Sequence, residues 1–293
     1  ARHFGCDAEE LALTRNASEG LQICQFGFDL ERGDEVLTTD QDYPRMLNTF
    51  RQRERREGVK LVTFPIPVPA EDPAEIVRRY AERITPRTKL ILVSHVINRT
   101  GQVMPVREVV ALGRSRGIPV IVDGAHAFAQ FPFSNAELDC DYYATSLHKW
   151  LFAPFGTGFL YVRRERIEGL WPLMASRVGQ DADIRKFEEI GTHPAPNYLA
   201  IGAALAFHEG LGVERKAARL RHLRDLWADA LRGEDRIRFH SSFRPEFGCG
   251  LANVAIEPRA LADWLWTRHR ILVSPIGHAD CTGIRVTPSV YTT

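Results

Sequence analysis

The first half of this chain alternates short apolar runs with amphipathic stretches, and that rhythm narrows the folds open to it. Residues 11–15, 35–39, 60–64, 89–94, 119–123, 142–146 and 158–162 are apolar and mostly β-branched or aromatic. Between several of them, residues 45–57, 73–83 and 105–116 repeat their apolar positions at helical spacing. A β-α-β series of this kind builds a mainly parallel sheet with helices on both faces. The pattern predicts an α/β fold with a seven-stranded-type sheet in a large domain over residues 1–195. From about Ala195 the character changes. Helices are expected over 200–211, 213–231 and 258–268, and strands over 236–240, 251–256 and 284–287. Residues 196–293 therefore read as a smaller α+β C-terminal domain with bridging helices.

Two of the strand-like runs end on groups that belong together chemically. Val120-Ile121-Val122 leads into Asp123, and the run ending at Ser146 leads into Leu147-His148-Lys149-Trp150. Open α/β sheets gather ligands beyond the C-terminal ends of their strands. The apolar residues after Lys149 favour burial, which lowers a lysine pKa and favours the free amine. A lysine able to form a Schiff base and an aspartate able to pair with a protonated pyridine nitrogen suit pyridoxal phosphate. The pair argues for an enzyme that transforms amino acids. Asp123 could instead cap the next helix. His126 could donate to a cofactor phenolate oxygen or be a satisfied core histidine. Asp123, His126 and His148 could also be metal ligands, but the spacing is borderline and no further carboxylate cluster supports them.

Other residues fit the same ligand with less force. Asn16-Ala17-Ser18-Glu19-Gly20 follows a strand and opens a helical pattern, where free backbone N–H groups can hold a phosphate. Taken alone, this segment reads as a plain helix cap. Ser146 and His148 would add phosphate donors beside Lys149. Tyr43 could stack on a flat ring or belong to the core. Arg285 sits inside a β-forming run and needs a partner, either a substrate carboxylate or an internal ion pair.

Composition excludes other classes. The chain has 293 residues, 44% hydrophobic and 26% charged, with 38 basic against 37 acidic residues and a net charge of +1. Neither nucleic acid nor a membrane surface is expected as a partner. No apolar run reaches the roughly 18 residues of a membrane span. Five cysteines, Cys6, Cys24, Cys140, Cys249 and Cys281, lack a CxxC pair and read as reduced structural thiols. The default compartment is the cytoplasm. An export signal on a segment preceding Ala1 stays open, because the first residues already read as mid-domain sequence.

Together these residues resemble the fold-type I pyridoxal-phosphate enzymes of aminotransferase class V, over essentially the whole chain from Asp7 onward. The family's Ser-x-His-Lys segment matches Ser146-Leu147-His148-Lys149, which implies that Lys149 carries the cofactor and that Ser146 and His148 touch its phosphate. Asp123-Gly124-Ala125-His126 matches the segment that gives Asp123 the pyridinium and His126 the phenolate oxygen. Ser94-His95-Val96-Ile97-Asn98 implies a place for Asn98 near the phenolate or the substrate carboxylate. Asn16-Ala17-Ser18-Glu19 puts Ala17 and Ser18 at the phosphate, and Tyr43 falls where the family has its ring-stacking group. Gly191-Thr192 matches a threonine that reaches the neighbouring subunit's phosphate, which implies a homodimer. Arg285 matches the arginine that grips the substrate α-carboxylate.

Within the class, His148–Pro154 and Ile284–Tyr291 are most similar to the isopenicillin N epimerase-like branch. Transamination or epimerisation at Cα is therefore expected. The alternatives are β-elimination by a C–S lyase and a cofactor-free binding protein that keeps the fold. Cysteine desulfurases carry a nucleophilic cysteine about fifteen residues before the carboxylate arginine. Here that count reaches Arg270 and Ile271, and Cys281 stands too close to Arg285. Family members begin before Ala1 and continue past Thr293, so the resemblance implies a portion of a longer polypeptide.

Overall fold

The structure is a computed structural model that describes residues 1–256 and 258–293. The large sheet is assembled from β1 (Leu11–Thr14), β2 (Glu35–Thr39), β3 (Lys60–Phe64), β4 (Thr88–Ser94), β5 (Val120–Asp123), β6 (Tyr142–Ser146) and β7 (Gly158–Val162). Its helices are α1 (Ala17–Gly27), α2 (Pro44–Glu57), α3 (Pro73–Ala81), α4 (Val106–Ser115) and the short α5 (Asn135–Leu138), α6 (Leu147–Trp150) and α7 (Arg164–Ile167). The strand order is β1-β7-β6-β5-β4-β2-β3, parallel throughout except for β7, which runs against both its neighbours.

Strand residues alternate between the two faces, as the pleat dictates. Leu37, Ile91, Val93, Val120, Val122 and Tyr143 enter one core, and Val36, Leu90, Leu92, Ile121, Tyr142 and Ala144 the other. Both faces are covered, which explains why these strands read as continuous apolar runs. Helix starts follow local chemistry. Asn16 caps α1 by accepting from the Glu19 N–H, Asp72 caps α3, and α2 begins on Pro44 and ends at Gly58 in the left-handed region.

After β7, the chain from Glu168 to Pro194 holds only the 3-10 turn Ile184–Glu188 among the described residues. It is followed by α8 (Ala195–Leu199), α9 (Ile201–Leu211) and the long α10 (Val213–Asp229). A second sheet, antiparallel and ordered β10-β11-β9-β8, joins β8 (Arg238–Phe239), β9 (Ala252–Ala255), β10 (Ser274–Ile276) and β11 (Gly283–Val286). α11 (Pro258–Trp264) runs into a π-helical turn at Leu265–His269. The sequence pattern lacks β10, because three residues centred on Pro275 carry no alternation to detect.

Candidate active site

Register brings the chemistry to one edge. Ser94 pairs with Asp123, Asp123 with Ala144, and Ser146 with Gly158, so Ser94, Asp123 and Ser146 share the C-terminal end of the sheet. Thr14 also pairs with Gly158, which carries the start of α1 to the same edge. A Cβ on Gly158 would lie 2.6 Å from the Thr145 carbonyl and 2.8 Å from the Asn16 backbone, so only glycine lets these segments meet.

A pocket of about 580 Å³ opens there, within the size range of small-molecule sites. Ala17, Ser18, Tyr43, Asn98, Asp123, His126, Ser146, His148, Lys149 and Arg285 all line it. Ten of the expected site residues thus converge. Thr192 does not; it is exposed, outside the pocket of its own chain. Arg45, at the start of α2, and Ser94 also line the pocket, although the sequence reading did not single them out.

Lys149 Nζ lies 3.1 Å from His126 Nε2. Burial lowers the lysine to about 8, with the Arg285 charge pushing the same way and Asp123 opposing. Burial, then the Lys149 and Arg285 charges, hold His126 well below its ordinary value. The imidazole is therefore neutral and shares a hydrogen bond with the Lys149 amine through Nε2. Asp123 is 6% exposed, and burial raises it to about 6 against the N–H of Ala125, which donates to its Oδ1 at 2.9 Å, and the nearby Lys149 charge.

Around the α1 start, Asn16 takes the Glu19 N–H and the Ser146 hydroxyl accepts from the Ala17 N–H at 2.9 Å. The Ser18 N–H has no partner among the described residues. His148 is half-buried, its pKa lowered chiefly by burial, and its ring lies 5.3 Å from that of Phe155. Tyr43 is the residue before α2, 38% exposed at the mouth. Below it, the buried Asp42 carboxylate accepts from the hydroxyls of Thr38, Thr39 and Ser94 and from the N–H groups of Thr39 and Ser94. That knot locks the β2 and β4 ends together and fixes the Tyr43 turn. Sequence reading missed it, since Asp42 resembles any turn aspartate until Ser94 is seen beside it.

Arg285 donates to the Asn98 carbonyl at 2.7 Å and to the Ser274 hydroxyl at 3.1 Å. It forms no ion pair among the described residues. Buried nitrogens on two pocket residues, His126 Nδ1 and Arg285 Nε, lack partners among the described residues. Buried polar groups are normally satisfied, so these mark where a polar ligand belongs. Asp123, His126 and His148 do not bring three ligand atoms within 4.8 Å of one another, and among the described residues only Asp40, His278 and Asp280 do so. The thiol of Cys281 is buried and raised to about 11, chiefly by that burial.

A doubly covered, mainly parallel sheet with an amine and a carboxylate at its strand ends, faced by a guanidinium from β11 of the second sheet, defines an α/β enzyme-type site for a polar, anionic ligand. The chain belongs to the aminotransferase class-V family, whose model matches residues 1–286. It is 32% identical to the isopenicillin N epimerase of Streptomyces clavuligerus over 100% of this chain and 79% of that protein. Identity to the Amycolatopsis lactamdurans enzyme of the same name is 31%, with the same coverage. A solved cystine C–S lyase in complex with its reaction product cysteine persulfide matches with a TM-score of 0.88 at 26% identity, covering 100% of this chain and 80% of that chain.

Proposed function

We propose that this chain is a pyridoxal-phosphate enzyme that acts at Cα of an amino acid or an amino-acid-containing metabolite, as an epimerase or aminotransferase. The observation that carries the reading is that Lys149, His126 and Asp123 share one pocket with an Arg285 that has no carboxylate partner among the described residues. The cofactor fits the donor set. Ala17, Ser18, Ser146 and His148 would take the phosphate, Asp123 the ring nitrogen, His126 and Asn98 the ring oxygen, and Tyr43 the ring face. Bound there, the cofactor supplies an electron sink for charge developing at the substrate.

This chain's residues do the rest. Arg285 Nη and Nε grip an α-carboxylate, a charge-assisted contact that orients Cα. Lys149 Nζ takes the Cα proton and returns it, with a pKa near 8 that suits proton transfer near neutral pH. His126, held neutral, hydrogen-bonds that amine and sets where it rests. Asp123 stays mostly ionised at pH 7 and keeps a negative charge at the foot of the pocket. Thr192 would reach the partner subunit's phosphate in a homodimer. C–S cleavage is the second reading, favoured by the likeness to the cystine C–S lyase.

The test begins with reconstitution and borohydride reduction. Peptide mapping should place the pyridoxyl group on the peptide that holds Lys149; a different lysine, or no uptake, refutes the assignment. Amino acids are then screened in deuterated water. Deuterium at Cα with configuration inverted marks epimerisation, keto acid marks transamination, and persulfide from cystine marks the lyase.

A further inference from the structure

Lys216 is 1% exposed on α10 and pairs with no carboxylate among the described residues. Its Nζ donates to the Trp150 carbonyl, lies 3.5 Å from His208 Nδ1 and stands 4.1 Å from the centre of the Phe152 ring. Burial lowers its pKa to about 8. Trp150 directly follows Lys149 and is the last residue of α6, a four-residue helix. Phe152, two residues on, adopts φ +64°, the left-handed region that a phenylalanine rarely takes. Its ring also meets Phe207 at 6.3 Å and Tyr291 at 6.0 Å.

A single turn of helix cannot hold itself, because nucleation costs more than its few hydrogen bonds return. Its terminal carbonyls need outside donors, and a cation at a helix C-terminus is the favoured one. Burying an ammonium without a carboxylate is costly, so the Trp150 carbonyl and the Phe152 face are what hold it there. Lys216 thus caps the turn bearing Lys149 from one side and clamps its strained exit from the other. The same helix reaches the second sheet region, where Arg224, also 1% exposed, donates to the Cys249 carbonyl at 2.8 Å.

We propose that Lys216 is a positioning residue, whose buried ammonium on α10 fixes the turn that presents Lys149 Nζ to the pocket. This rests on the reading of Lys149 as the residue that carries the chemistry.

The experiment compares wild type, Lys216→Met and Lys216→Arg by amide hydrogen exchange on the cofactor-free protein, alongside thermal unfolding and steady-state kinetics of the loaded enzyme. In Lys216→Met, exchange over residues 147–156 should accelerate at least about tenfold while the rest of the chain changes less than about twofold. The kcat should fall about tenfold or more with KM within about twofold, and Lys216→Arg should recover part of both changes. Unchanged exchange over 147–156 in a folded Lys216→Met overturns the proposal, as does acceleration spread evenly over the chain. Should Lys216→Met not fold, Phe152→Leu decides, because loss of the ring contact should raise exchange in the same segment and no rise refutes the clamp. Local loosening with the pyridoxyl group mapped away from Lys149 would sink the functional reading and leave the clamp standing.

Discussion

Asp123 carries two opposed demands, and they give it a signature that a mere helix cap would lack. Its folded-state pKa of about 6 lies above the ordinary carboxylate value of 3.8. Between those values the folded protein binds a proton that the unfolded chain does not, so wild-type stability falls as pH rises through pH 4 to 6. Above pH 6 the full cost is present; below pH 4 it is gone. The shift converts to about 3 kcal/mol at most. Asp123→Asn in the cofactor-free protein should therefore be more stable than wild type at pH 7 by about 1–3 kcal/mol, with the gain vanishing near pH 4. In the loaded enzyme the same change should cut turnover about a hundredfold or more, through loss of the charge at the ring nitrogen. Denaturation at two pH values and kcat measure the two effects. A variant neutral in both would reduce Asp123 to a cap. His95 shows how residue-scale reading can stop short. In its segment Ser94, Val96 and Asn98 line the pocket, whereas His95 turns into the core 3.3 Å from the Tyr143 hydroxyl, where burial lowers it to about 3.

At the scale of elements, the site is a seam between β6, β7 and the entry to α1. The antiparallel β7 allows it, since its first residue, Gly158, faces both Ser146 and Thr14. Gly158→Ala should force the Thr145 carbonyl and the Asn16 backbone apart, at a cost of about 1–3 kcal/mol typical of overpacking. Because Asn16 leads into Ala17 and Ser18, cofactor affinity should fall about tenfold or more beyond the stability loss. Chemical denaturation and cofactor titration separate the two, and an undisturbed titration would mean that the α1 entry does not hold the phosphate. Strands that form continuous apolar runs were legible in the sequence. β10 was not, and neither was the direction of β7, because neither a three-residue strand nor a strand's orientation leaves a periodic trace.

The whole molecule leaves Thr192 unexplained within one chain. It is exposed, and the stretch before it also exposes Trp171, Leu173, Met174 and Val178. In the proposed homodimer, a second copy of this chain would cover these groups and bring Thr192 to a phosphate. Thr192→Val should weaken cofactor affinity by roughly ten- to a hundredfold, the scale of one charge-assisted hydrogen bond. Mixing inactive Lys149→Ala with Thr192→Val at limiting cofactor gives the sharper readout. If the contact crosses subunits, a mixed dimer holds one site with both residues intact, and activity should return on subunit exchange. No recovery despite proven exchange, or a fully active monomer in sedimentation, rules the shared site out.

The sequence by itself determined the seven strands of the large sheet, the starts of its long helices and the polar groups at the strand ends, because apolar runs, the helical period of 3.6 and capping chemistry act over a few neighbouring residues. It therefore carried the pairing of Lys149 with Asp123 in kind, but not the contacts that tune them. Only the tertiary structure decided that Arg285 has no carboxylate partner among the described residues, that Asp42 ties β2 to β4, and that Lys216 caps the turn after Lys149. Each joins segments from different strands or helices, so its partners are chosen by strand order and helix packing, for which no local pattern codes.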